Sequence, residues 1–294
     1  MNTNKKILTV LPNFKPMIKP KKIYITLLIG SCFSLGNIAL NFAESFAQEN
    51  PEIPQENILE DSEETPLLTA KDWYNKGFDE IEARNYQGAI AAFSESIKLD
   101  QTDADTYYNR GYSYLLLEQF EESIKDYDKA IELNPDFAYA YGNRCYAYYQ
   151  LKNHGQAIAD CSKAIELESK YGDFYIYRGN AKDDLEMHEA AILDYNQAII
   201  ISPNNPKAYY NRGLAYNRLG KSLQAVEDYS KAIQFNLNFA DAYHNRGVTQ
   251  FKLEEQEKGI ADLIKAAQLF RQQGNTDRAE KSLNTIQQLQ KAEI

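Results

Sequence analysis

From Ala70 onward the sequence repeats every 34 residues without insertion or deletion. Glycine, or a single cysteine in its place, falls at Gly77, Gly111, Cys145, Gly179, Gly213 and Gly247. The six units begin at Ala70, Ala104, Ala138, Gly172, Pro206 and Ala240, and positions within a unit are numbered 1 to 34. A strict period of this length requires one supersecondary unit stacked on copies of itself, because no single unit can bury its apolar face alone.

The recurring residues say what the unit is. Position 4 carries Trp73, Tyr107, Tyr141, Tyr175, Tyr209 and Tyr243. Position 20 carries Ala89, Ser123, Ala157, Ala191, Ala225 and Gly259; position 24 carries Phe93, Tyr127, Cys161, Tyr195, Tyr229 and Leu263; position 27 carries Ser96, Ala130, Ala164, Ala198, Ala232 and Ala266. Apolar residues recur at i, i+3/i+4 and i+7 in each half, which is one face of a helix. Small residues at 8, 20 and 27 let two helices approach, and aromatics at 4 and 24 fill the space beside them. Pro135 and Pro203 at position 32 lack an N–H and predict the end of the second helix.

These residues, in fixed register over 70–273, identify the chain as resembling the tetratricopeptide-repeat family. The resemblance implies an all-α, right-handed solenoid of six helix-turn-helix units, 70–103, 104–137, 138–171, 172–205, 206–239 and 240–273. A capping helix over 274–294 follows, with Ala279, Leu283, Ile286 and Leu289 as a narrow apolar stripe. It also implies that the first helices line a concave groove for partner proteins, chiefly through positions 2, 5, 6, 9, 12 and 13.

Carried onto this chain, the groove residues are Tyr74, Phe78, Tyr108, Tyr112, Tyr146 and Tyr149 at an aromatic end. Asp173, Asn180, Asp183 and Asp184 form an acidic middle, and Tyr210, Asn211, Asn217, Arg218, His244 and Phe251 a mixed basic and apolar end. Asn75, Asn109, Asn143, Asn211 and Asn245 recur at position 6, where an amide can bond a peptide backbone through donor and acceptor. Tyrosine gives large contact area at small entropy cost; the competing expectation is that much of it is inter-repeat core. The family's chaperone-binding subset clamps a carboxylate with Lys and Asn at set positions. Asn180 and Asn211 fit two of these, whereas Ile176, Asp241 and Asn245 depart from the rest.

One pair of positions varies together. Units two to six carry Arg110, Arg144, Arg178, Arg212 and Arg246 at position 7 and Asp126, Asp160, Asp194, Asp228 and Asp262 at position 23, while unit one has Lys76 and Ala92. Joint presence and joint absence predict a charge-assisted bond between the two helices of each unit; two separate surface positions copied by duplication are the alternative.

Ahead of the repeats, Ile23 to Ala43 is largely apolar, Lys19, Lys21 and Lys22 precede it, and Ser45-Phe46-Ala47 supplies a small-residue cleavage pattern. Residues 1–47 therefore read as an export signal, with Met17 as an alternative start. The alternatives are an uncleaved anchor and a lipidated Cys32 in a lipobox-like Ile29-Gly30-Ser31-Cys32. Residues 48–69 hold seven acids, three prolines and no Lys or Arg, which reads as a flexible linker. Without residues 1–47 the chain carries 26 bases against 41 acids, a net of −15, which disfavours nucleic-acid binding.

Chemistry finds little footing. No CxxC occurs. His154 and His188, both at position 17, are expected on the solvated surface. Asp183, Asp184, Glu186, His188 and Glu189 read as a solvated acidic patch, with a divalent-cation site as the alternative. Cys145 and Cys161 occupy positions 8 and 24 of unit three. With position 8 expected to meet position 20, two buried thiols are expected there and a disulfide is the alternative. The chain thus reads as a non-enzymatic scaffold, without cofactor, exported to a periplasm or equivalent space. It would bind protein or peptide segments and meet a membrane only through its N-terminus. An envelope-complex assembly factor or subunit is the alternative, and a metal-dependent or enzymatic site a remote third.

Overall fold

The computed structural model describes residues 68–291. The expected signal, its Met17 and Cys32 alternatives and nearly all of the linker lie outside them. Thirteen helices and no strand occur among the described residues. The first helices of the six units are α1 (Ala70–Glu82), α3 (Ala104–Leu116), α5 (Ala138–Gln150), α7 (Gly172–Asp184), α9 (Pro206–Arg218) and α11 (Ala240–Lys252). The second helices are α2 (Tyr86–Leu99), α4 (Phe120–Leu133), α6 (His154–Leu167), α8 (His188–Ile201), α10 (Ser222–Phe235) and α12 (Gln256–Gln272), and α13 (Thr276–Lys291) closes the stack. No helix among the described residues is long and apolar enough to cross a membrane.

Each hairpin turns in three residues, and the middle one, at position 15, lies in the left-handed region. It is Arg84, Glu118, Lys152, Glu186 and Glu254 in five units and Gly220 in the other. The amide of the next residue reaches back to close the helix, as Gln119 N–H does to Tyr114 C=O at 2.9 Å. The proline expectation is only half of the story at the far end. Second helices stop at position 30 in units with Pro135 and Pro203, and equally at Leu99, Leu167 and Phe235 where no proline follows.

Within each unit the helices meet in an i to i+16 register. A Cβ added to Gly77 would sit 2.5 Å from the Phe93 ring, and one on Gly179 2.6 Å from the Tyr195 ring. The ring at position 24 therefore lies directly on position 8. Phe93, Tyr127 and Tyr229 are fully buried there, each worth about 2–3 kcal/mol of apolar burial. Unit three fills the same place covalently. Cys145 and Cys161 form a disulfide with a Cα–Cα distance of 5.4 Å, which corrects the expectation of two thiols. The reason is the register: position 8 meets position 24, and not only position 20. Closing a loop of this length contributes about 3 kcal/mol by restricting the unfolded chain.

The Arg–Asp pairs form in all five units. Arg212 Nε and Nη2 donate to the two oxygens of Asp228 at 2.8 and 2.7 Å, and Arg110, Arg144, Arg178 and Arg246 do the same to Asp126, Asp160, Asp194 and Asp262. The third guanidinium nitrogen, Nη1, reaches position 25 of the preceding unit: Ser94, Asp128, Ser162, Asn196 or Ser230, at 2.5–3.1 Å. Each guanidinium also lies 5.4–5.7 Å from the centre of its position-4 tyrosine ring. Burial pushes the Asp126, Asp160 and Asp228 carboxyls above the ordinary range, and the arginines pull them back only in part. The pair is thus costly to bury and costlier to break. Asp228→Ala or Arg212→Ala alone is expected to lose about 3 kcal/mol of unfolding free energy. The double variant should lose clearly less than the sum when all four chains are melted in urea; additive losses would reject the coupling.

Candidate protein-binding groove

The groove residues sit on first helices; first helices of neighbouring units touch at α3/α5, α5/α7 and α7/α9, and α11 touches the capping helix α13. Much of what the sequence assigned to a partner is spent on that contact. Asn109 Nδ2 donates to Tyr74 Oη at 3.1 Å, Asn143 to Tyr108 at 3.1 Å and Asn245 to Tyr210 at 2.8 Å, each across 35 residues. Position-6 asparagines therefore join repeats through their amide nitrogens. Tyr108, at 3% exposure, stacks on Phe137 with ring centres 4.8 Å apart, and Tyr210 stacks on Phe239 at 4.7 Å. Tyr112, Tyr146 and Phe251 are also buried; Tyr146 packs on Tyr177 at 5.1 Å, and Phe251 lies over Gly259. Tyr74 and Phe78 are half-buried against each other.

The acidic middle needs a larger correction. Asp183 is 5% exposed. Its carboxylate takes an ion pair from Arg218 of the next unit and the Nδ1 of His188 at 2.6 Å. Position 12 is apolar in Ile81, Leu115, Tyr149 and Phe251, so an acid there goes inward and must be paired. His188 is accordingly half-buried rather than solvated, and so is His154, whose ring lies 5.9 Å from Tyr149. Among the described residues no group of three acids, histidines or cysteines is placed to hold a metal ion.

Two unit junctions depart from the tyrosine–asparagine link. Gly142 stands at position 5 of unit three, and a Cβ there would fall 1.9 Å from the Phe174 ring. Asn180 Oδ1 accepts from Tyr195 Oη at 2.9 Å and from Asn211 Nδ2 at 2.8 Å. Phe174 thus fills the space a tyrosine leaves, and a side-chain amide network replaces the next link.

What remains open is narrower than the sequence implied. Tyr139, Tyr149, Tyr171, Asp173 and Lys207 are half-buried around the same units, while Asp184 and Arg218 are exposed. Burial raises the Asp173 carboxyl and Lys207 opposes it; burial lowers the Lys207 ammonium and Asp173 opposes that. Burial and then the neighbouring Asp184, to which its hydroxyl bonds, hold the Tyr149 phenol well above its usual range. Asn217 is half-buried near Lys252 Nζ, 3.4 Å away.

His244 faces α13 rather than a partner, with Nδ1 2.9 Å from Ser282 Oγ. The Ser282 hydroxyl already donates to Arg278 C=O, so the imidazole is the donor. Burial, then Lys281 and Arg278, hold its pKa below the ordinary value, with Asp241 opposing. The stabilisation from neutral His244 is complete above about pH 6.5 and lost as pH falls below it, because the unfolded imidazole then takes the proton first. Wild type should lose more stability than His244→Gln between pH 7.5 and 5.5 in paired thermal melts; equal losses would contradict this assignment.

The tetratricopeptide-repeat family profile matches residues 104–137, 138–171 and 206–239, and a TPR-repeat profile matches 82–118 and 184–220. Among solved structures the chain is similar to the MamA protein, with 27% identity, 58% of this chain and 94% of that one covered, and a TM-score of 0.52. It is similar to YrrB, a TPR protein with an unusual peptide-binding site, at 25% identity over 65% of this chain and 98% of that one, TM-score 0.51. The Cut9–Hcn1 hetero-tetramer of the APC/C has a TM-score of 0.65 at 16% identity, covering 74% of this chain and 42% of that one, and shows the fold alone. No curated protein matches the chain.

Proposed function

This chain belongs to the tetratricopeptide-repeat family, and from that premise we propose that it is an extracytoplasmic scaffold holding an extended segment of a partner protein against the first helices of units three to five. The observation that carries the reading is a stretch of rings and carboxylates on the first helices of units three and four that stays partly open to solvent beside the inter-repeat links. Tyr139, Tyr149 and Asp173 are half-buried and Asp184 is exposed there, so that each keeps a solvent-facing part even where it also packs on Phe174 or bonds across units. Half-desolvated rings supply contact area, and each carboxylate strengthens as bound chain excludes water. The partner segment best suited to them is uncharged or basic, with a Lys or Arg opposite Asp184. The peptide-binding site named for YrrB supports this class of ligand.

Two features support the compartment. A disulfide at Cys145–Cys161 is stable where thiols are oxidised, and residues 1–47 carry the three-part pattern of an export signal. Intact mass of the mature protein is expected to correspond to a chain beginning at Gln48; a mass retaining Ile23–Ala43, with or without lipid on Cys32, would replace cleavage by anchoring.

A photo-crosslinking residue placed at Tyr149 should capture a discrete protein in the envelope, whereas the same residue at Leu193, on α8, should not. Adding Asp184→Lys should cut the Tyr149 product about tenfold, the equivalent of 1.4 kcal/mol. Equal yields from both positions, or indifference to Asp184→Lys, would remove the groove reading.

A further inference from the structure

Unit three is built differently from its neighbours at two of the places where the other units are held together. At position 24, Phe93, Tyr127, Tyr195, Tyr229 and Leu263 press a large apolar side chain onto the facing first helix. Unit three has only Cys161 there, against Cys145 at position 8, both fully buried. At position 5, Gly142 provides no tyrosine hydroxyl to bond the next unit, and Phe174 packs on the bare backbone instead. The covalent bond between α5 and α6 thus stands where a large apolar side chain, a ring in four units, stands elsewhere.

We propose that the Cys145–Cys161 disulfide is the redox-sensitive lock of unit three, and that its reduction selectively loosens residues 138–171 within an otherwise intact solenoid. The reductant is a dithiol. One of its thiolates attacks a cystine sulfur, the other cysteine leaves as a thiolate, and the second dithiol thiol resolves the mixed disulfide. Two electrons and two protons pass to the cysteine pair, and the dithiol becomes a cyclic disulfide. Because neither sulfur is exposed, attack waits for α5 and α6 to part, so the rate of reduction reports the opening of the unit itself. Once reduced, the slot holds two small thiols with no ring to fill it and no crosslink to limit the open chain. Units two, four and five keep both their ring and their arginine pair, and none of the other units is weakened directly, as nearest-neighbour coupling in a solenoid allows.

The consequence for function rests on the groove reading, since Tyr139, Tyr146 and Tyr149 ride on α5; the structural claim does not. The test uses the full chain carrying Cys32→Ser, so that only the pair in unit three responds. Hydrogen exchange by mass spectrometry is compared with and without dithiothreitol. Peptides from 138–171 should exchange about a hundredfold faster after reduction, as expected from losing a crosslink over a loop of this size, while peptides from 206–239 change little. The double variant C145G/C161Y restores the glycine–ring slot, and its exchange should be indifferent to dithiothreitol. Free thiols in the untreated protein, equal acceleration in both segments, or no acceleration in 138–171 would each overturn the proposal. If the lock behaves as stated and crosslinking from Tyr149 is absent in either redox state, the groove reading fails alone.

Discussion

The guanidinium at position 7 sets the geometry on which the solenoid depends. It is held on both oxygens by the aspartate of its own second helix, touches position 25 of the preceding second helix with its remaining nitrogen, and rests against the tyrosine one turn earlier on its own helix. Three helices from two units thus meet at one planar group, which only arginine supplies. Burial raises the Asp126 and Asp228 carboxyls despite their arginines, so pairing offsets the lost hydration there only in part. The gain is positional: any other arrangement of the three helices leaves a charge buried and unbonded. Unit one fits this account. It opens the 34-residue period, and it carries Lys76 lying 4.7 Å above Trp73, with a buried Ala92 in the aspartate slot.

With that geometry fixed, two spacings organise the remaining contacts. Sixteen residues separate partners within a hairpin, as in Gly77–Phe93, Cys145–Cys161 and Arg212–Asp228. Thirty-five separate the side-chain links between first helices, as in Tyr74–Asn109 and Asp183–Arg218. The second spacing is one period plus one residue, the offset of neighbouring helices in the stack. It takes up tyrosines and asparagines that an isolated helix would turn toward solvent, and this is why so few groove positions remain available.

The period, the helix pairs, the small slots and the arginine–aspartate bonds were legible in the sequence, because a repeated chain displays its own covariation: Lys76 and Ala92 depart together. The 35-residue links were not read, although the sequence contains them. Resemblance assigns positions 5, 6 and 12 to a partner, whereas an asparagine or aspartate whose helix is covered must first be satisfied within the stack. Asp183 is the clearest case, since its slot is otherwise largely apolar and Arg218 lies one link away. The disulfide was equally within reach: glycine facing an aromatic at positions 8 and 24 in four other units means that those positions touch, so two cysteines there can bond. His244 depended on α13, whose face toward unit six no period describes.

A repeated scaffold also offers a way to separate packing from function using one chain. A residue that recurs in all units is explained by the stack, whereas one that breaks the pattern needs a local reason. In this chain the breaks gather in units three and four: Gly142, Cys145, Cys161, Tyr177, Asn180 and Asp183 all occupy positions where the other units mostly agree. Several compensate each other, as Phe174 does for Gly142 and Arg218 for Asp183, so the stack is preserved while its surface changes. Because each unit is stabilised chiefly by its immediate neighbours, such substitutions alter one stretch of surface without spreading to the ends. The half-buried Tyr139, Tyr149 and Asp173 and the exposed Asp184 lie within this same stretch. Tyr139 packs on Phe174 and Tyr149 bonds Asp184, so the substitutions that keep the stack together here also set which rings and carboxylates stay partly open to solvent.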